Sequence, residues 1–318
     1  MEEMSYKGIR EQLKVSIEKL YMGDLQILDE IEKGLQHKSE QIPQVGYQGV
    51  IGSFSEEAAT RYFKDQDAGY TRYDEFEEVF EALVRGDIDY GVLPIENSYT
   101  GEVLEVYDLI GHYNLYIVGE EIVRVTHHLA GIEGSTIEGI EEVYSHPQAL
   151  GQCKQYLKQY PYIQSIPYAN TAMAAQYIEQ LNKRHKAAIC SEKAANLYNL
   201  SILQREINTK SNNYTRFVIL SKTMQILPEC DKVSIVFTTK HESGALYHIL
   251  AHFAYNGLNL LKIQSRPMKD KSWHYYFFVD LEGHLEDANV LIALGKVSKE
   301  SEYFSILGGY RQSKKTTY

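Results

Sequence analysis

QVGYQGVIGSFSEEAATRYF, residues 44–63, changes rhythm halfway along. Its first half is a short apolar run broken by glycines and reads as a buried strand. Its second half sets Ser53 and Ser55 ahead of a segment with helical spacing. A hydroxyl there supplies the acceptor that free N–H groups at a helix start need. The same change recurs downstream. DAGYTRY (67–73) predicts a strand and DEFEEVFEALVRG (74–86) a helix; DYGVLPIE (89–96) predicts a strand and TGEVLEVYDLIG (100–111) a helix. Such alternation points to a parallel α/β sheet, because each parallel pair needs a long crossover connection.

LYIVGEEIVRVTHHLAG (115–131) is longer and strand-like, and predicts a crossing between two lobes. Alternation then resumes through EEVYSH, PQALGQCKQYLKQY, YIQSIPYA, NTAMAAQYIEQL, AAICS and EKAANLYNL, and TRFVILSK (215–222) closes it with a strand. Residues 44–222 are thus expected to form an α/β domain of two small lobes with a cleft between them. After Pro228-Glu229 the chain reads β-α-β-β-α-β over residues 229–310, a ferredoxin-like module. Ahead of both, residues 1–43 predict a helical extension. Its apolar positions Ile9, Leu13, Val15, Ile17, Leu20, Leu25, Leu28 and Ile31 fall mostly three or four apart, and Pro43 ends it.

The 318 residues carry a formal net charge of −11, which argues against nucleic acid or a membrane surface as partner. No apolar run approaches the ~20 residues of a membrane span, and the N-terminus lacks the apolar core of a signal peptide. Cys153, Cys190 and Cys230 are far apart and form no CxxC pair. They read as reduced, buried thiols, and the expected location is cytoplasmic. No zinc or haem spacing is present.

Several helices of the α/β part open on a small polar residue directly after a strand: Ser53, Ser98, Thr100, Ser145, Asn170, Thr171 and Ser191. Each alone is an N-cap. Together they have a second meaning, because strand C-termini and helix N-termini converge on one edge of an open α/β sheet, where ligands bind. Exposed N–H groups there favour an anion, with Arg216 and, more weakly, Arg124 adding charge. Glu96 reads as a strand end. His146 and Gln148 open a helix that begins at Pro147, and His127-His128 shows no metal spacing and reads as structural. No nucleophile set, P-loop or GxGxxG can be assigned.

Six blocks occur in one order: YQGVIGSFSEEAA (47–59), GVLPIENSYTGEV (91–103), VYSHPQALGQC (143–153), NTAMAA (170–175), AAICSEKAANLYNL (187–200) and NNYTRFVIL (212–220). With SGAL (243–246) and NLLKIQSRP (259–267) behind them, the chain resembles the prephenate dehydratases with a C-terminal ACT regulatory domain. The resemblance covers roughly residues 44–310. It implies two α/β lobes similar in architecture to periplasmic binding proteins, followed by the ACT domain. It implies conversion of prephenate to phenylpyruvate, water and carbon dioxide on the route to phenylalanine. No metal or organic cofactor is implied, and homodimers or homotetramers are.

Carried over residue by residue, the resemblance makes Thr215 the group that assists the departing hydroxyl. Arg216, Asn97 and Ser98 join it as catalytic candidates. Ser53, Ser145, Gln148, Thr171 and Phe217 are substrate-binding candidates, with Phe217 more a packing residue under the site. The implied phenylalanine site comprises Gly244, Ala245, Leu246, Asn259, Leu260, Gln264, Ser265, Arg266 and Pro267. Here the chain departs from the family's ESRP, since Gln264 replaces the glutamate, and KHES (240–243) lacks the usual Pro and Gly. Residues 1–43 stand where bifunctional relatives carry a chorismate mutase but are too few for it. Two alternatives stay open: arogenate as substrate, and a non-catalytic amino-acid sensor on the same fold.

Overall fold

The structure is a computed structural model that describes residues 31, 34, 42–268, 271 and 273–313. Of the expected N-terminal helices only Ile31 and Gly34 are described, and both are helical; the rest of that expectation lies outside the described residues. By their contacts the described residues form two compact units. One comprises 42–107 and 121–219; the other comprises 108–120 and 220–313 with Ile31 and Gly34.

Most residues of two sheets fall in the first unit. In one, β2 (Gly69–Tyr73), β1 (Gln44–Gln48), β3 (Tyr90–Asn97), β11 (Tyr214–Ser221) and β5 (Tyr116–Arg124) follow in that order, with β4 (Gly101–Glu102) on β3. In the other, the order is β10 (Ser201–Gln204), β6 (His128–Gly131), β9 (Lys186–Cys190), β7 (Glu142–Ser145) and β8 (Gln164–Pro167). Helices make the crossovers where pairing is parallel. α1 (Phe54–Tyr62) links β1 to its parallel neighbour β2, and α2 (Phe76–Arg85) links β2 to β3, which pairs β1 in parallel. β8 and β9 both run parallel to β7, connected through α6 (Thr171–Leu181). The parallel expectation fails elsewhere: β6 is antiparallel to β9, β10 to β6 and β4 to β3.

The helix starts follow the caps read from the sequence in part. Ser53 accepts from Glu56 N at 3.3 Å, Asn170 from Met173 N at 2.7 Å, and Ser191 from Ala194 N at 3.1 Å ahead of α7 (Glu192–Leu197). Two starts differ. α4 (Pro147–Gln152) is capped by His146, whose Nδ1 accepts from Gln148 N, and not by Ser145. Ser98 and Thr100 cap nothing, because β4 folds back on the end of β3 before α3 (Leu104–Tyr113) begins. The helix expected over 147–160 breaks at Cys153 into α4 and α5 (Lys154–Leu157). Alanines 172, 174, 175, 194 and 195 let α6 and α7 pack onto Ala188 and Cys190 of β9.

In the second unit, β12 (Lys232–Thr238), α8 (Ala245–Tyr255), β13 (Leu260–Pro267), β14 (Tyr275–Glu282), α9 (Ala288–Glu300) and β15 (Phe304–Tyr310) run β-α-β-β-α-β. Their antiparallel sheet has the order β13-β14-β12-β15. Val233, Ile235 and Phe237, two apart on β12, bury one face with Ile249 and Phe253 of α8 and Val290, Leu294 and Val297 of α9. Each such side chain contributes about 1.5–3 kcal/mol. The other face of β12 is buried too, and there Lys232 pairs with Glu120 at 2.8 Å and Asp280 at 3.4 Å. Gly308 is required close by: a Cβ on it would lie 1.9 Å from the Ile117 carbonyl oxygen. Among the described residues no helix is long and apolar enough to cross a membrane.

Candidate active site

The amide of Asn97, the last residue of β3, has one possible orientation. Its Oδ1 accepts from the backbone N–H of Tyr99 at 2.9 Å and of Thr100 at 3.0 Å. Those donors cannot reverse, so the NH2 end points the other way. It meets Thr215 Oγ1 at 2.9 Å, Asn213 Oδ1 at 2.9 Å and the Tyr214 carbonyl at 3.2 Å. An amide NH2 only donates, so Thr215 Oγ1 accepts. The Thr215 O–H is thereby left to donate elsewhere, and Thr215 is buried.

The directed bonds continue inward. Asn213 Oδ1 is taken by Asn97, so Asn213 Nδ2 donates to Gln152 Oε1 at 3.0 Å. The same Oε1 lies 2.8 Å from His127 Nε2. Because that oxygen is an acceptor, His127 carries its proton on Nε2 and leaves Nδ1 bare, in accord with the buried Nδ1 having no partner among the described residues. Burial pushes the His127 pKa down to about 4, against an opposing pull from the Gln152 bond, so the ring is neutral near pH 7. Both bonds to Gln152 fall on its carbonyl, which leaves its N–H pair as donors. Gln152 is the last residue of α4, so a helix on the second sheet delivers it to strands of the first.

Side chains alternate along strands, which sorts the next residues onto the other face. Arg216 follows Thr215 and Glu96 precedes Asn97. Arg216 Nη2 donates to Glu96 Oε2 at 3.1 Å. Ser98 braces the strand ends. Its Oγ accepts from Tyr214 N at 2.9 Å and donates to the Asn212 carbonyl at 3.0 Å, and its own N–H reaches the Tyr214 carbonyl at 2.8 Å.

Of the sequence candidates, Asn97, Ser98 and Thr215 come together through these bonds, with Arg216 across the sheet. Phe217 is buried at 2 % exposure, as packing. Ser145 is fully buried and donates to the Ile189 carbonyl at 2.6 Å. Ser53 and Thr171 stand half-buried at helix starts and Gln148 is exposed on α4. The three cysteines are free and buried; burial lifts Cys153 and Cys190 to about 12, which makes them inert thiols. Sequence reasoning read His127 as structural and gave Asn213 and Gln152 no role in the site. The available signal was the cost of leaving an amide or imidazole unpaired inside apolar strands and helices.

Each unit also carries a cavity. One, of about 270 Å³ in the first unit, is lined by Arg61, Arg124, Lys193 and Arg205 among others. Each of these cations is ion-paired, to Glu57, Glu206, Glu56 and Glu192 respectively. The other, of about 620 Å³ in the second unit, is lined by Gly244, Ala245 and Leu246 with Trp273, His274 and Phe277. On β13, Arg266 grips Asp108 in two bonds of 3.0 and 2.9 Å, and Gln264 bonds the Ser265 carbonyl.

The prephenate dehydratase family profile matches residues 45–225. The chain is 39 % identical over 267 residues to the bifunctional chorismate mutase/prephenate dehydratase of Aquifex aeolicus, covering 84 % of this chain and 73 % of that protein. It is 38 % identical over 278 residues to arogenate dehydratase/prephenate dehydratase 2 of Arabidopsis thaliana, covering 84 % and 72 %. The solved prephenate dehydratase from Arthrobacter aurescens in complex with L-Phe superposes with a TM-score of 0.78 at 29 % identity, covering 85 % of this chain and 90 % of that one.

Proposed function

Because the chain belongs to the prephenate dehydratase family, we propose that it converts prephenate to phenylpyruvate, water and carbon dioxide, with Thr215 at the reacting centre. The observation that carries the residue assignment is the fixed amide of Asn97, which makes Thr215 Oγ1 an acceptor and leaves its O–H to donate.

Prephenate holds a carboxylate and a hydroxyl at opposite ends of a cyclohexadiene ring. When the C–C bond to the carboxylate breaks, its electron pair enters the ring, and the C–O bond pair leaves with the hydroxyl oxygen. That oxygen gains negative charge as it departs and must end as water. A buried O–H donor aimed at it stabilises the charge where it develops. A threonine hydroxyl is a very weak acid, so Thr215 acts as a hydrogen-bond donor within a network, and the proton that completes water arrives through the polar groups around it. Gln152, with its carbonyl occupied, offers its N–H pair to a substrate carboxylate. Arg216 acts through Glu96, on the opposite face from Thr215, and is a positioning residue in this reading. Ser53, Gln148 and Thr171 complete the substrate contacts at helix starts, where an anion is favoured.

The β-α-β-β-α-β segment is the ACT regulatory domain of this reading, and L-phenylalanine is its effector. Gly244, Ala245 and Leu246 on the wall of a 620 Å³ cavity support it, as does the L-Phe held by the Arthrobacter relative. Asn259, Leu260 and Gln264 to Pro267 supply the strand side of the site. A homodimer or homotetramer in the cytoplasm accompanies the assignment. Arogenate is the second candidate substrate, favoured by the dual name of the Arabidopsis relative.

The test is turnover of prephenate and of arogenate by the purified protein, with and without phenylalanine. Thr215→Val is expected to abolish most turnover and Thr215→Ser to keep part of it. No turnover of either compound sinks the enzyme reading, and equal rates in the two variants remove Thr215 from the mechanism.

A further inference from the structure

We propose that His127 and Asn213 are positioning residues for the dehydration, and that they act on Thr215 through Gln152 and Asn97. The inference rests on the assignment of Thr215 above. It starts from a continuous and directed path of hydrogen bonds: His127 Nε2 to Gln152 Oε1 at 2.8 Å, Asn213 Nδ2 to the same oxygen at 3.0 Å, Asn97 Nδ2 to Asn213 Oδ1 at 2.9 Å and Asn97 Nδ2 to Thr215 Oγ1 at 2.9 Å.

Each bond forces the next. The Asn97 NH2 can only donate, so the Asn213 oxygen must face it. Asn213 then has only its NH2 to offer Gln152. Gln152 Oε1 is held from two sides, so its own NH2 is aimed by His127 and Asn213 together. His127 is itself anchored at several points. Its backbone N–H reaches Asn208 Oδ1 at 2.6 Å, its carbonyl accepts from Ile207 N at 2.9 Å, and Phe54 meets the ring edge-on at 6.0 Å. The imidazole is 2 % exposed and its Nδ1 has no partner among the described residues. A ring kept only for packing would be served by a phenyl group, without the cost of a bare nitrogen in the interior. What the imidazole adds is one N–H donor at a fixed place.

The reach of the path gives the reason for it. His127 lies between β5 and β6, Gln152 ends α4, Asn213 precedes β11 and Asn97 ends β3. Four separate stretches of chain, two elements and two connecting segments, therefore register against one another at Thr215. Loss of the His127 donor leaves Gln152 Oε1 held by Asn213 alone, so the Gln152 and Asn213 amides loosen together; the Asn97 oxygen stays pinned by Tyr99 and Thr100, but its NH2 loses the fixed Asn213 acceptor that sets its place beside Thr215. The hydroxyl then loses its direction while the substrate contacts at helix starts persist, so the effect falls mainly on kcat.

The experiment compares His127→Leu with His127→Gln, whose side-chain amide reproduces a donor near the Nε2 position, in steady-state assays on prephenate alongside thermal unfolding. The expected result is a fall of at least tenfold in kcat for His127→Leu, larger than the rise in KM that the loosened Gln152 contact brings, and recovery of most of the kcat loss in His127→Gln. Both variants are expected to melt below the wild type by similar amounts. Asn213→Asp, which cannot donate to Gln152, is expected to match His127→Leu, and it carries the test should His127→Leu not fold. Wild-type kcat in His127→Leu or in Asn213→Asp overturns the proposal, as does a loss in His127→Gln equal to that in His127→Leu. Should Thr215→Val retain full turnover, the underlying assignment of Thr215 fails first, whatever the His127 variants do.

Discussion

Asn97 and Thr215 stand 118 residues apart in the chain and are joined by a 2.9 Å hydrogen bond from Nδ2 to Oγ1. Its direction is set by two backbone N–H groups on the far side of the Asn97 amide. Asn97→Asp tests that direction. The aspartate still accepts from Tyr99 and Thr100, so the turn is kept. Its second oxygen can only accept from Thr215, which draws the hydroxyl proton away from substrate. A fall of roughly 10²–10³ in kcat is expected, the usual effect of losing one oriented donor at a developing oxyanion. Near-native kcat in this variant would reverse the assigned direction.

On the opposite face, Arg216 and Glu96 are expected to behave as one unit. Arg216→Lys loses the planar guanidinium, and a single ammonium does not reproduce it. Glu96→Gln removes the charge from this ion pair. Each is expected to lower kcat/KM several-fold, and the double variant to cost little more than either alone, because removing one half already breaks the pair. Multiplied losses in the double-mutant cycle would show two independent roles. Wild-type kinetics in Arg216→Lys would make the pair purely structural.

The neutral state of His127 carries a pH signature. Its folded pKa of about 4 lies below the ordinary value of 6.5. Between those values the unfolded chain binds a proton that the folded chain refuses. Stability therefore falls as pH drops from about 6.5 toward about 4, and is unaffected by this group above pH 7. The total is on the order of 3 kcal/mol. Urea unfolding at pH 7 and pH 4.5 is expected to show a larger acid loss in wild type than in His127→Gln. Equal losses would mean that His127 protonates freely in the fold.

At the second cavity, Gly244 adopts φ +85° as it opens α8, a conformation that costs an L side chain roughly 1–2 kcal/mol. Gly244→Ala is expected to weaken phenylalanine binding several-fold by calorimetry without changing uninhibited kcat. Gln264→Glu is expected to strengthen binding several-fold, since a carboxylate can pair with the ligand's amino group. Unchanged affinity in both variants would place the effector elsewhere.

Much of this arrangement was legible beforehand because it is local. A glycine-broken apolar run followed by Ser53, or Asn170 ahead of an alanine-rich helix, states its own conformation, since strand periodicity and cap chemistry act over a few residues. The six-block pattern and the β-α-β-β-α-β order belong to the same level. The misreadings also have local causes. β4 is two residues long and β10 four, too short to show a period, and Cys153 interrupts a helix whose pattern runs straight through it.

The amino-acid order by itself determined where strands and helices lie, which helix starts are capped, and which family motifs the chain carries. Only the tertiary structure decided that Asn97, Asn213, Gln152 and His127 share one path to Thr215, and that Arg216 turns away from it to Glu96. The physical reason is directional. A side-chain amide or imidazole can donate or accept either way along the chain, and which way it does so is chosen only when folding brings a partner that can do one and not the other.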